Sequence, residues 1–159
     1  MTSATPTFNL LDEPWIRVRS SSGGLEVRSL LGVLRDAHLI RTISGEIPTQ
    51  DVALLRLIEA ILLGAARNPA LRRQEKAVAL WSEWWDAGRF PMDLVAAYCE
   101  TYRGRFDLLS SETPFFQVAD LSTDSGKRSG LRKLIAEIPD GHQFFTTRAG
   151  SDLTSLSLA

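Results

Sequence analysis

One cysteine and two histidines leave this 159-residue chain short of the side chains that most metal and thiol chemistry needs. Cys99 has no disulfide partner, and together with His38 and His142 it falls one ligand short of a tetrahedral cysteine-and-histidine zinc site. An excess of charge is also lacking. Lys and Arg number 18 against 19 Asp and Glu, a net charge of -1, so the chain has no global basic field like that of a free-standing DNA binder. Any nucleic-acid contact must be local, or shared with a partner subunit. Long apolar runs are missing as well: VALLRLIEAILLGAA is interrupted by Arg56 and Glu59, and MTSATPTF at the start has neither a basic n-region nor an apolar h-region. No signal peptide and no membrane span is read, and the single thiol fits a reducing, cytoplasmic compartment. There is no phosphate-binding glycine loop, no HExxH and no GxSxG.

What is present is a hydrophobic content of 44%, enough for one core, and a length that fits one domain. WIRVRSSSGGLEVRSL alternates Trp15, Ile16 and Val18 against Arg17 and Arg19, turns through Ser-Ser-Gly-Gly, and alternates again at Leu25 and Val27, which predicts a β-hairpin. Ser29 is placed to cap a short helix, and HLIRTIS predicts a further strand. Thr49 is read as the cap of a strong helix whose apolar residues Val52, Leu54, Leu55, Ile58, Ile61 and Leu62 predict burial on most sides. A second helix carries Val78, Trp81 and Trp85 on one face with Leu80 and Trp84 beside it, and stops at Gly88. A third, MDLVAAYCETY, sets Leu94, Val95, Tyr98 and Tyr102 at core-like spacing, and LRKLIAEI predicts a short helix further on. STDSGKRSG, residues 122–130, is the best candidate for a mobile loop. The fold class expected is α+β, a hairpin and short strands packed with several helices.

Few residues qualify for bond chemistry. Cys99 lies inside an apolar helical pattern, the setting of a small buried thiol, and His38 ends a short helix where its dipole suits the helix C-terminus. Asp12 and Glu13, beside Pro14 and Trp15, read as turn and cap residues rather than magnesium ligands. Trp81, Trp84 and Trp85 could stack bases, but helical spacing assigns them to packing. Phe106, Phe115 and Phe116 are expected to pin the long connection RFDLLSSETPFFQV onto the core, with Pro114 fixing the approach. No cofactor is implied.

The basic cluster Lys127, Arg128, Arg132 and Lys133, followed by His142, Gln143, Phe144, Phe145, Thr146, Thr147 and Arg148, differs in kind. Basic side chains attract phosphate, an exposed phenylalanine stacks on an unpaired base, and threonine hydroxyls reach sugar or phosphate oxygens. In extended chain Phe144 and Phe145 leave opposite faces, so one of them needs a second partner. Spacing alone leaves two readings open: a solvated basic face with a buried Phe pair, and a nucleic-acid loop.

FNLLDEPWIRVR, RFDLLSSETPFFQV and LIAEIPDGHQFFTTR, in that order, resemble successive signature segments of the CasA family, the large subunit of the type I-E CRISPR surveillance complex Cascade. The likeness runs along essentially the whole chain; Arg17 stands where family members commonly have proline. It implies a non-catalytic subunit in antiviral defence. Such a subunit contacts the 5′ handle of the guide RNA, helps recognise the protospacer-adjacent motif in double-stranded target DNA, joins the other Cascade subunits, and helps recruit the helicase–nuclease effector. By segment order, the family's nucleic-acid loop falls on residues 142–148, with Phe145, Thr146 and Thr147 at its tip and Phe144 as the alternative. Lys127, Arg128, Arg132 and Lys133 become candidate phosphate contacts. The resemblance also makes residues 1–159 the N-terminal portion of a longer domain, whose remainder and C-terminal four-helix bundle are absent. SDLTSLSLA, an apolar pattern that stops, fits that expectation.

Overall fold

A computed structural model of the chain describes residues 6–67, 74–126 and 130. The expected hairpin forms from β1, Ile16–Ser20, and β2, Leu25–Arg28, which pair antiparallel with Ile16 opposite Arg28 and Val18 opposite Glu26. Gly23 takes φ +96 in the turn, a conformation a side chain would strain. Alternation along β1 sends Ile16 and Val18 into the core, both fully buried. Leu25 and Val27 lie opposite Arg19 and Arg17, on the other face, and are about half exposed. The pattern of β2 thus reports its strand period correctly while its apolar side faces out.

Ser29 caps α1, Leu30–Arg35, its Oγ accepting the Gly32 N–H at 3.1 Å. After a short 3-10 turn, Ala37–Leu39, strand β3, Ile40–Ile43, pairs with the free edge of β1, giving a three-stranded antiparallel sheet in the order β2-β1-β3. A register irregularity falls between Arg19 and Ser20.

Helix α2 runs Pro48–Ala65, and its start corrects the sequence reading: Ile47, not Thr49, stands at the cap position, with Pro48 opening the helix. Proline suits that place because its missing N–H would have no helical acceptor there. The side chains of Asp51 and Gln50 reach back instead, accepting the Gly45 and Glu46 N–H groups at 2.7 and 2.9 Å. Burial on most sides is not observed. Ile61 and Leu62 are buried, but Val52 and Leu55 are each 56% exposed, and the N-terminal half of the helix borders an open groove of about 690 Å³ that also touches Phe116.

Helix α3, Gln74–Ala87, ends where expected, with Gly88 at φ +63 donating to the Trp85 carbonyl at 3.0 Å. The assignment of its tryptophans to packing holds for Trp84, which is buried, and fails for Trp85, which is 86% exposed. Neighbouring helical residues point about 100° apart, and here Trp85 turns away from the face on which Trp84 is buried. In α4, Met92–Thr101, the buried stripe is Val95 and Cys99, one turn apart, while Leu94 and Tyr102 stay about half exposed rather than in the core. The core joins Leu11, Ile16, Val18, Leu30, Val33 and Leu34 to Ile61, Leu62, Trp84, Val95, Cys99 and Phe106. These elements belong to a unit of residues 1–119; a second unit comprises residues 120–158, in whose described part Gly126 donates to the Thr123 carbonyl at 2.8 Å. Among the described residues no helix is long and apolar enough to cross a membrane.

Candidate nucleic-acid interface

The first two signature segments meet. Leu10 N–H donates to the Phe106 carbonyl and Leu108 N–H to the Phe8 carbonyl, both at 2.9 Å, in a short antiparallel bridge centred on Asn9 and Asp107. The two side chains explain the residue types. Asn9 donates through Nδ2 to the Arg103 carbonyl and accepts the Leu11 N–H on Oδ1, each at 3.1 Å, so it needs an amide with both capacities. Asp107 accepts the N–H groups of Phe8 and Leu109 on one oxygen at 3.1 and 2.9 Å. Trp15 adds its indole N–H to the Leu10 carbonyl at 2.9 Å, and that carbonyl also accepts from Leu30, joining the bridge to the hairpin and α1.

From this clamp the chain continues along a fixed path. Phe115 N–H donates to the Asp107 carbonyl at 3.0 Å, and its ring stacks on Phe106 at 5.7 Å between centroids. Gln117 donates from Nε2 to the Leu108 carbonyl at 2.9 Å. Phe106 and Phe115 therefore anchor as expected. Phe116 does not: it takes φ +51, packs edge-on against Phe115, and is 89% exposed. Adjacent phenylalanines again divide between core and solvent.

Among the described residues, Arg103 and Arg28 are held in ion pairs. Arg103 bridges Asp12 and Glu100 at 2.5 and 2.7 Å, and Arg28 pairs with Glu26 and Asp36. Hydrogen bonds to these carboxylates raise the pKa of both guanidiniums, chiefly through Glu100 for Arg103 and Glu26 for Arg28. Cys99 is buried, and loss of solvation pushes its thiol up to about 11 against a smaller opposing pull from Arg103. Burial and the raised pKa both favour the protonated thiol at neutral pH, the state of a core side chain rather than of a nucleophile. Among the described residues no group of three or more His, Cys, Asp or Glu is placed to hold a metal ion.

Lys127, Arg128, Arg132, Lys133 and the run from His142 to Arg148 lie outside the described residues, as does the LRKLIAEI stretch. Sequence reasoning missed one grouping that the structure does bring together. Trp81, Trp84, Trp85, Arg89 and Phe90 meet His38 around a cavity of about 460 Å³. The adjacency of Trp84 and Trp85 was the signal that could have found it, since two bulky neighbours about 100° apart on a helix make an aromatic face wider than one packing stripe.

Residues 9–159 match the family model of CRISPR-associated protein Cse1. The chain is 36% identical over 135 residues to the CRISPR-associated protein CasA/Cse1 of Thermus thermophilus, covering 85% of this chain and 25% of the relative. Among solved structures it resembles Thermobifida fusca Cse1 at 41% identity and a TM-score of 0.78, covering 96% of this chain and 28% of the other. It also resembles a chain of a CRISPR RNA-guided surveillance complex at 26% identity and a TM-score of 0.71, covering 96% and 29%. The chain thus spans about a quarter of the length of the relatives it matches. With the Asn9–Asp107 clamp uniting two of the segments that carry the likeness, the chain belongs to the Cse1 (CasA) family of CRISPR-associated proteins.

Proposed function

We propose that this chain is a non-catalytic, nucleic-acid-handling part of a Cascade-type surveillance complex. The observation that carries the reading is its likeness, over 96% of its length, to a chain of a CRISPR RNA-guided surveillance complex. The buried, protonated Cys99 supports a role without bond chemistry. In the finer reading, residues 142–148 form the loop that touches the guide-RNA 5′ handle and helps recognise the protospacer-adjacent motif, with Phe145 stacking and Arg148 meeting phosphate. Lys127, Arg128, Arg132 and Lys133 add phosphate contacts. Target DNA, the other Cascade subunits and the helicase–nuclease effector are the partners.

The test is Phe145→Ala, with Phe144→Ala beside it, in a full-length subunit carrying this sequence. Loss of one stacked base weakens guide-RNA assembly or motif-dependent DNA binding by about ten- to a hundredfold. Unchanged gel shifts for both variants at fixed salt would remove the loop assignment. A second reading is a protein-interaction module that docks through the Phe144–Phe145 loop without nucleic-acid contact; the exposed Phe116 and the apolar groove beside α2 offer a further apolar surface for such docking. Assembly insensitive to salt would select it.

A further inference from the structure

The cavity at the end of α3 has a chemistry that neither packing nor the 142–148 loop accounts for. Its walls are aromatic: Trp81 and Trp84 meet edge to face at 4.8 Å, Trp85 stands almost wholly in solvent, and Phe90 and His38 close the rim. Gly88 turns the chain through φ +63 and places Arg89 in the lining. The lining is mostly apolar, with Arg89 and His38 as its polar side chains besides the indoles, and among the described residues no carboxylate lines the cavity.

That balance discriminates among ligands. A quaternary ammonium or a lysine side chain would find aromatic faces but no counter-charge, and would meet Arg89. An aliphatic peptide side chain would leave Arg89 without a counter-charge. A nucleobase is planar, stacks on indole, offers ring nitrogens and carbonyl oxygens to donors, and carries a phosphate for the arginine. We propose that Trp81, Trp85 and Arg89, with His38 at the rim, bind an unpaired nucleobase of single-stranded RNA. This second contact rests on the nucleic-acid-handling reading but uses none of the residues of the 142–148 loop. Asp86, which lines a neighbouring shallow pocket with Trp81 and Trp85, opposes phosphate and limits affinity.

Three of the four tryptophans lie at this site, so intrinsic fluorescence reports directly on occupancy. The 159-residue chain is titrated with a 12-nucleotide oligouridylate and a 12-nucleotide oligoadenylate at low salt. Saturable quenching is expected, with Trp85→Ala weakening binding by about ten- to a hundredfold. Arg89→Ala should flatten the salt dependence by about 0.7 in log–log slope, one phosphate on a single strand. Asp86→Asn should tighten binding. Trp85 is solvent-exposed, so its loss leaves the fold in place, which an unchanged circular dichroism melt confirms.

Equal affinity of wild type and Trp85→Ala overturns the site, as does the absence of saturable quenching by either oligonucleotide. Quenching by an apolar peptide but not by RNA overturns it in favour of a protein contact. Phe145→Ala run in parallel separates the two claims. If it weakens binding and Trp85→Ala does not, the loop reading stands and this site falls; the reverse keeps the site, and the loop falls with it only if Phe144→Ala is also without effect.

Discussion

Gly64 sits near the end of α2, a helix that packs against α4. A Cβ added there would lie 2.4 Å from Cζ and 2.5 Å from Oη of Tyr98. Glycine to alanine in a helix normally stabilises by up to about 1 kcal/mol. Here the contact is inside van der Waals distance, and the Tyr98 ring is held against Tyr102 at 4.9 Å between centroids, so it cannot swing away freely. Overpacking of this kind costs about 1–3 kcal/mol. Clash therefore wins, and Gly64→Ala should lose about 1 kcal/mol net, a fall in Tm of roughly 4 °C for a unit of this size. Thermal melts of four proteins make the test a cycle: wild type, Gly64→Ala, Tyr98→Leu and the double variant. In the Tyr98→Leu background the same alanine should be neutral or stabilising. If Gly64→Ala alone raises Tm, the close approach of α2 and α4 is wrong.

Trp15→Phe keeps an aromatic ring but removes the N–H bonded to the Leu10 carbonyl, and should cost at least about 0.5–1.5 kcal/mol in urea denaturation. Cys99 should resist iodoacetamide in the native state and react in denaturant. Because its folded pKa is raised from about 9 to about 11, the folded state holds the proton longer than the unfolded chain. The stability that contributes is complete below about 9 and is lost as pH rises toward 11, which melts in alkaline buffer would read and which Cys99→Ala should abolish. Arg103→Ala should cost at most about 1 kcal/mol for each of its two partly exposed bridges, and less at high salt.

The hairpin, the Ser29 cap, the Gly88 stop and burial of Cys99 were legible because each depends on a local rule. Alternation makes β1, a hydroxyl caps α1, and only a residue free of Cβ strain suits the turn after α3. Which face each helix buries was not legible. Val52 and Leu55 on α2, Leu94 on α4 and Trp85 on α3 all have apolar periodicity, yet each faces out because burial depends on where the neighbouring element lies. Similarly, Asp12 and Glu13 read as turn and cap residues and RFDLL as part of a long connection; the union of their segments through Asn9 and Asp107 joins residues nearly a hundred positions apart, beyond any local pattern. The division of adjacent aromatics, Trp84 from Trp85 and Phe115 from Phe116, sets one ring against the core and leaves its neighbour in solvent. Its functional meaning comes only from what the outward ring touches.

Nucleic-acid handling through local basic and aromatic groups must show itself in the salt dependence of assembly with guide RNA. That dependence is measured for a subunit carrying this sequence and for a variant with Lys127, Arg128, Arg132 and Lys133 replaced by glutamine. The falling log–log line of the wild type should flatten by about 0.7 for each single-strand phosphate that a removed charge had neutralised, up to about 2.8 for four. A line already flat in the wild type, or one unmoved by the four substitutions, would be incompatible with such handling.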